Sequence, residues 1–239
     1  MRRYIACATT LSTLYLLLLS PLVSAQTVVI SSTGSGWYNE AGFRGELNYV
    51  VGDLKGSCEL CGRDYRNYFV FDLSSVVTPI ASAKLTLSVP NLPPPNGVGY
   101  SSPDPSENYE LHDVVTPLAS LLNGSGGVAA HADLGSGIVY GSRTMTAADI
   151  GKIVEIELNT AGVAALNSAS GQIGIGGSLT TLDGLVSDEY TFAFSGSTTD
   201  IRELRLTLVP EPSSFLVCLA AIFAPLPIRR RKSVPHDRG

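Results

Sequence analysis

Residues 66–73 alternate without a break: Asn67, Phe69, Phe71 and Leu73 stand on one side, Arg66, Tyr68, Val70 and Asp72 on the other. The same period of two sets Leu85, Leu87 and Val89 against Lys84, Thr86 and Ser88. It sets Val154, Ile156 and Leu158 against Glu155 and Glu157, and Leu204, Leu206 and Leu208 against Glu203, Arg205 and Thr207. Successive side chains of a strand point to opposite faces, so this pattern predicts half-buried antiparallel strands. Weaker runs predict further strands at residues 27–31, 46–51, 109–114, 137–141, 172–176 and 190–194. Short helices are expected at residues 117–122 and 161–169, and the glycines at 34–36 and 124–127 read as flexible turns. Many short strands between Gly, Pro, Ser and Asn loops predict an all-β fold, an antiparallel β-sandwich or jelly roll with one or two short helices.

The two ends follow other rules. Arg2 and Arg3 precede an apolar run at residues 14–19, then Pro21 and the small residues Ser24 and Ala25. That order of basic, apolar and small-residue segments is what a signal peptidase reads, so residues 1–25 are expected to be removed between Ala25 and Gln26. At the other end, Pro210-Glu211-Pro212 is followed by an apolar run at residues 215–228 and then Arg229, Arg230, Arg231 and Lys232. Fourteen helical residues reach about 21 Å, short of a bilayer core of about 30 Å. The basic cluster sits where a cytoplasmic flank would place it. The reading is a short hydrophobic helix that holds the exported chain transiently in the inner membrane.

Pro210, Glu211 and Pro212, the short apolar segment and the arginine cluster together resemble the PEP-CTERM sorting signal of bacterial surface proteins. The resemblance covers residues 209–239. It implies processing by an exosortase, a membrane enzyme of bacteria that make exopolysaccharide, and delivery to the cell surface or the extracellular matrix. A softer resemblance lies in the middle of the chain. Residues 67–75 (NYFVFDLSS) and 80–87 (IASAKLTL) are similar to extracellular jelly-roll modules related to carbohydrate-binding modules, as is the expected helix 161–169 followed by Gly171-Gln172-Ile173-Gly174-Ile175. This likeness implies the fold more than a function.

Of the 239 residues, 16 are Lys or Arg and 21 are Asp or Glu, a net charge of −5. Residues 26–208, the expected mature domain, hold 9 of the basic and 19 of the acidic residues, hence −10. A domain so acidic repels phosphate backbones, so nucleic acid is not an expected partner. An anionic polysaccharide would need bridging cations.

Candidate chemistry is sparse. Cys58 and Cys61 form a CxxC pair, read as a disulfide that staples a loop in an oxidising compartment ahead of a metal or redox role. Two ligands are half of what a structural zinc site needs. No nucleophile elbow, metalloprotease helix, phosphate loop or dinucleotide fingerprint is present, so no enzyme and no cofactor is expected. Calcium in an acidic loop stays open. Asp183, Asp188 and Glu189 are the only carboxylate grouping that offers a hydrolase reading. Trp37 and Tyr38 are the candidate glycan contacts, since sugars stack apolar C–H patches on aromatic faces. Tyr49, Tyr65, Tyr100 and Tyr109 read as caps of the sandwich core.

The expected function is therefore a non-catalytic, exported surface or matrix protein, sorted through its tail and binding exopolysaccharide. Two alternatives stand beside it: a secreted glycan-active hydrolase on the same scaffold, and a structural protein-interaction component of the envelope.

Overall fold

In the computed structural model, which describes residues 26–54, 64–93, 97–184, 187–197 and 199–210, the alternating segments form two antiparallel sheets that face one another. The first runs β1 (Thr27–Ser31), β15 (Arg202–Leu208), β6 (Ile80–Ser88), β12 (Ile153–Glu157). The second runs β11 (Val139–Met145), β10 (Glu107–Asp113), β13 (Gln172–Leu179), β5 (Asp64–Asp72), β4 (Val51–Asp53), β14 (Glu189–Thr191), β9 (Tyr100–Ser101). Strand β2 (Gly34–Asn39) also pairs with β5 and carries β3 (Arg44–Gly45). A small ribbon, β7 (Asn91–Leu92) with β8 (Gly97–Val98), stands apart. The fold is the all-β sandwich that the alternation predicts.

The alternation explains the core. Leu85, Leu87, Val154, Ile156, Leu204 and Leu206 face inward from the first sheet, and Phe69, Phe71, Tyr109, Leu111 and Ile175 meet them from the second. The opposite face of the first sheet carries polar residues such as Lys84, which pairs with Glu155 at 3.1 Å and Glu157 at 2.8 Å.

A third layer covers the outer face of the second sheet. Helices α1 (Leu118–Asn123) and α2 (Gly127–Asp133) bring Leu121, Ala130 and Leu134 onto Tyr38, Tyr68 and Val70. Close approach is possible because the sheet presents glycines there. A Cβ on Gly176 would lie 2.8 Å from the Leu134 carbonyl oxygen, and one on Gly34 would lie 2.5 Å from Leu122 Cδ2. Helix α3 (Thr160–Ser168) starts at Asn159, whose Oδ1 accepts from the N–H groups of Ala161 and Gly162 at 2.9 and 3.0 Å. Such an N-cap contributes about 1 kcal/mol.

Several local expectations are corrected: three short helices form among the described residues where one or two were expected, and the strand expected at 190–194 ends at Thr191, beyond which Phe192 and Phe194 take positive φ. Residues 34–36 are strand, not turn; small residues are required because a Cβ on Gly36 would lie 2.2 Å from the Gly45 carbonyl oxygen. Residues 124–127 are not one flexible turn: Gly124, at φ +84°, ends α1 and Gly127 opens α2. Residues 46–51 form no continuous strand, and only Val51 enters the ladder. Tyr49 N–H instead donates to Ser195 Oγ at 2.9 Å and Val50 N–H to Asn48 Oδ1 at 3.2 Å, so side chains take the place of a partner strand.

The ladder between β1 and β15 fixes two poles. At one, Leu208 N–H donates to the Gln26 carbonyl at 2.9 Å, so the chain enters and leaves the sandwich side by side. At the other, Ser31 opposes Glu203, and Ser32 N–H donates to the Arg202 carbonyl at 2.8 Å. The two ends of β1 are about 13 Å apart at the rise of an extended strand. Among the described residues no helix is long and apolar enough to cross a membrane.

Candidate functional site

A polar cleft of about 400 Å³ opens at the pole away from Gln26. Its walls come from the β1–β2 connection (Ser32, Thr33), the start of β2 (Gly34, Ser35), Arg44 and Glu46 after the β2–β3 turn, Leu122 at the end of α1, and Arg202. A second hollow, of about 280 Å³, shares Ser32 and Arg202 and continues past Thr199, Asp200 and Glu203. The two form one groove across the end of the sandwich, with Arg202 at their junction.

Both arginines are held from beneath. Arg44 Nε donates to the Tyr68 hydroxyl at 2.8 Å and Nη2 to Glu46 Oε2 at 2.9 Å, with only 18% of its side chain exposed. Burial pushes the Tyr68 hydroxyl up, so Tyr68 stays neutral and accepts the bond. Arg202 Nη1 donates to Ser35 Oγ at 3.1 Å, and its guanidinium carbon lies 5.8 Å from the centre of the Tyr49 ring. A guanidinium has five donor N–H groups. Each arginine therefore keeps donors for a ligand after its anchoring bonds are made. The hydroxyls are similarly oriented: Ser32 Oγ donates to the Gly34 carbonyl at 2.7 Å and Thr33 Oγ1 to the Val70 carbonyl at 3.2 Å, each leaving lone pairs to accept. The arrangement can recognise a ligand rich in hydroxyl or carboxylate oxygen. Leu122 is its one large apolar wall.

The expected aromatic contacts lie elsewhere. Tyr38 is fully buried, and its hydroxyl donates to the Leu121 carbonyl at 2.9 Å and the Ser120 carbonyl at 3.1 Å. With no exposed ring face it cannot stack on a sugar, so that expectation is corrected: Tyr38 ties α1 to the sheet. Trp37 is half-buried, edge-on to Tyr65 at 4.8 Å between ring centres, and it does not line the groove. Tyr49, Tyr65, Tyr100 and Tyr109 are buried, as core caps should be. Cys58, Cys61, Ala25, Glu211, Pro212, Arg229, Arg230 and Arg231 lie outside the described residues.

The carboxylate grouping changes character in three dimensions. Glu189 is fully buried, and its Oε2 accepts from Asp183 N–H at 3.0 Å. Burial, with the nearby carboxylates of Asp183 and Glu107, pushes Glu189 up to about 7. Glu107 is also fully buried, accepting from Ser102 Oγ at 2.6 Å and from Thr181 Oγ1. Sealed in this way, Glu189 presents no carboxylate to a glycosidic bond. Among the described residues, no three Asp, Glu, His or Cys side chains gather as a metal-ligating group.

A serine and a histidine also meet. Ser178 Oγ lies 3.2 Å from His112 Nε2, but Glu110 approaches the same nitrogen, at 3.8 Å, and His112 Nδ1 has no hydrogen-bond partner. A nucleophilic triad needs the carboxylate on the second nitrogen to orient the ring. Burial also holds His112 below the usual histidine range and therefore neutral.

Sequence reasoning missed Arg44, Arg202 and the hydroxyls between them. They come from segments far apart in the chain, and none belongs to a motif; the run Ser31-Ser32-Thr33 is the only local signal. No family model matches the chain, and no curated protein matches it.

Proposed function

We propose that the protein is an exported, non-catalytic glycan-binding sandwich, sorted by its tail to the cell surface or the extracellular matrix, with the Arg44–Arg202 groove as its binding face for exopolysaccharide. The observation that carries this reading is the polarity of the domain. The chain enters at Gln26 and leaves at Val209 at one pole, and the arginine and hydroxyl groove opens at the other. A chain held through segments beyond those two residues would present the groove away from its point of attachment. The partners on this reading are signal peptidase at Ala25–Gln26, an exosortase acting at Pro210-Glu211-Pro212, the inner membrane transiently, and exopolysaccharide at the journey's end. The groove supports hydrogen bonding over stacking, because two anchored guanidinium groups and several hydroxyls line it and no aromatic ring does.

The test is to delete residues 210–239 and follow the chain. Accumulation in the periplasm, with loss from the surface, is the expected outcome. Unchanged delivery and processing would refute the sorting half of the proposal.

A further inference from the structure

The first sheet has one guarded edge and one bare edge. At the guarded one, β12, Arg143 Nη1 donates to the Glu155 carbonyl at 3.3 Å, and Glu155 and Glu157 place charge along the strand. The other edge, β1, has a partner on one side only, β15. In that ladder Leu208 N–H donates to the Gln26 carbonyl and Ser32 N–H to the Arg202 carbonyl, so the even-numbered positions of β1 bond to β15. Bonded and non-bonded pairs alternate along an antiparallel ladder. The N–H and C=O groups of Thr27, Val29 and Ser31 therefore point away from β15, and among the described residues nothing bonds to them.

Proteins blunt such an edge with lysine, proline or a bulge. β1 uses none of these: residues 26–31 read QTVVIS, without charge, and the register with β15 runs without a shift. The core is left open along the same line. Val28 and Ile30 pack on the core cluster but are only partly buried, while Leu206 and Leu204, their neighbours on β15, are wholly covered. Free main-chain groups beside half-covered apolar side chains fit one kind of partner, an extended strand with apolar residues at alternate positions.

We propose that β1 pairs antiparallel with β1 of a second copy of the chain, about a two-fold axis at Val29. The strand is complementary to itself in this register, as a two-fold contact requires. Val29 opposes Val29, Thr27 opposes Ser31, and each such pair exchanges two main-chain hydrogen bonds. On the inward side Val28 falls beside Ile30 of the second copy. Each copy then covers what the other leaves open, and Leu206, Val28, Ile30 and Leu204 form one apolar row across the seam. On the outer face Arg205 stands opposite Val29. The Arg205 side chains of the two copies are three strand spacings apart, about 14 Å, beyond the Debye length of about 8 Å, so no like charges meet. The pairing turns the copies end for end and puts an Arg44–Arg202 groove at each end. Chains held by their tails in one membrane point the same way, so the pair forms between released chains; that step rests on the sorting reading, and the pairing does not.

Sedimentation equilibrium of the full chain in density-matched detergent tests this, because association through the apolar ends would be the same in every variant. Val29 is 48% exposed, so a charge there leaves the fold intact. Val29→Lys sets like charges opposite one another and should weaken association about tenfold or more. Val29→Glu should do the same, and an equimolar mixture of the two variants should restore the pair. The wild type should therefore sediment with twice the mass of either variant alone, with the same circular dichroism. Equal masses for wild type and Val29→Lys, or a mixture no heavier than its components, would overturn the proposal. Equal masses together with slow hydrogen exchange at the Thr27, Val29 and Ser31 amides would overturn it too, and would assign the edge to another segment of the same chain.

Discussion

Inside the sandwich, Asn67 Oδ1 accepts a hydrogen bond from the Tyr109 hydroxyl at 2.8 Å. The same amide donates from Nδ2 to the Tyr49 carbonyl at 2.9 Å. One polar side chain thus joins β5 to β10 and pins a segment that has no ladder of its own. Tyr49 in turn lies under Arg202, so the core network reaches the floor of the groove. A Cβ on Gly177 would lie 2.2 Å from the Tyr109 hydroxyl and 2.4 Å from Asn67 Oδ1, which is why this stretch of β13 is bare.

Asn67→Ala should therefore cost on the order of 3 kcal/mol, because it strands a buried hydroxyl and a buried carbonyl together. Chemical denaturation of the full chain measures it. Tyr109→Phe, which removes one partner and leaves the ring, should cost less than half as much. Equal costs for the two would mean that the amide contributes only through the hydroxyl.

The helical cover should detach before the sandwich does. Gly176→Ala would drive a methyl into the Leu134 main chain, at a cost of about 1–3 kcal/mol from overpacking. Hydrogen exchange should speed up over α1 and α2 while β6 and β15 stay protected. Uniform acceleration across both sheets would show that the cover and the sandwich unfold as one unit.

Acid should loosen the same layer. Asp64 sits 3.2 Å from His131 Nε2 and 3.1 Å from Arg66 Nη2, and Arg66 Nη1 donates to the carbonyls of His131 and Ala132. Burial alone would raise the Asp64 carboxyl, but the close approach of His131 and the charge of Arg66, whose Nε also donates to it, outweigh burial and hold it below the ordinary aspartate value. A carboxyl lowered by folding stabilises the fold above its unfolded value, and that stability is lost as pH falls through the folded one. Melting temperature should thus fall as pH drops below about 4. Asp64→Asn should flatten that acid limb while lowering stability at neutral pH. An unchanged acid limb in the variant would assign the acid sensitivity to other carboxylates.

Much of this architecture was legible from one rule. Where a strand buries one face and wets the other, as at residues 154–158 and 204–208, the alternation reports the sheet directly. It also found β5, although there the face opposite the core, with Tyr68 and Val70, is buried under the helices. It failed where side chains replaced a strand partner, as at Tyr49 and Val50. It failed again at Gly34 and Gly36, where glycine reports a neighbour's close approach and not a turn. Helix α2 was hidden because seven residues behind two glycines show no helical period. The groove was less legible still. Trp37 and Tyr38 attracted attention as aromatics, yet Tyr38 is sealed inside and half-buried Trp37 packs on Tyr65, while Arg44 and Arg202 meet only because β1 lies on β15 and β2 turns back into β3. Residues brought together by topology leave no mark on local sequence.

The groove makes its own prediction about charge. Arg202→Ala should weaken glycan binding about 10- to 100-fold, the usual worth of a hydrogen bond to a charged group. Arg202→Lys should recover only part of it, because an ammonium cannot match the planar fork of donors. Full recovery by lysine would mean that the site senses charge and not geometry.

The most direct measurement is equilibrium co-sedimentation of the full chain with exopolysaccharide isolated from the producing cells, wild type beside Arg44→Ala and Arg202→Ala. Saturable binding by the wild type, lost in both variants while their melting curves stay close to it, is the predicted result. Absence of binding by the wild type, or binding that both variants retain, would contradict the assignment of the groove as the glycan-binding face.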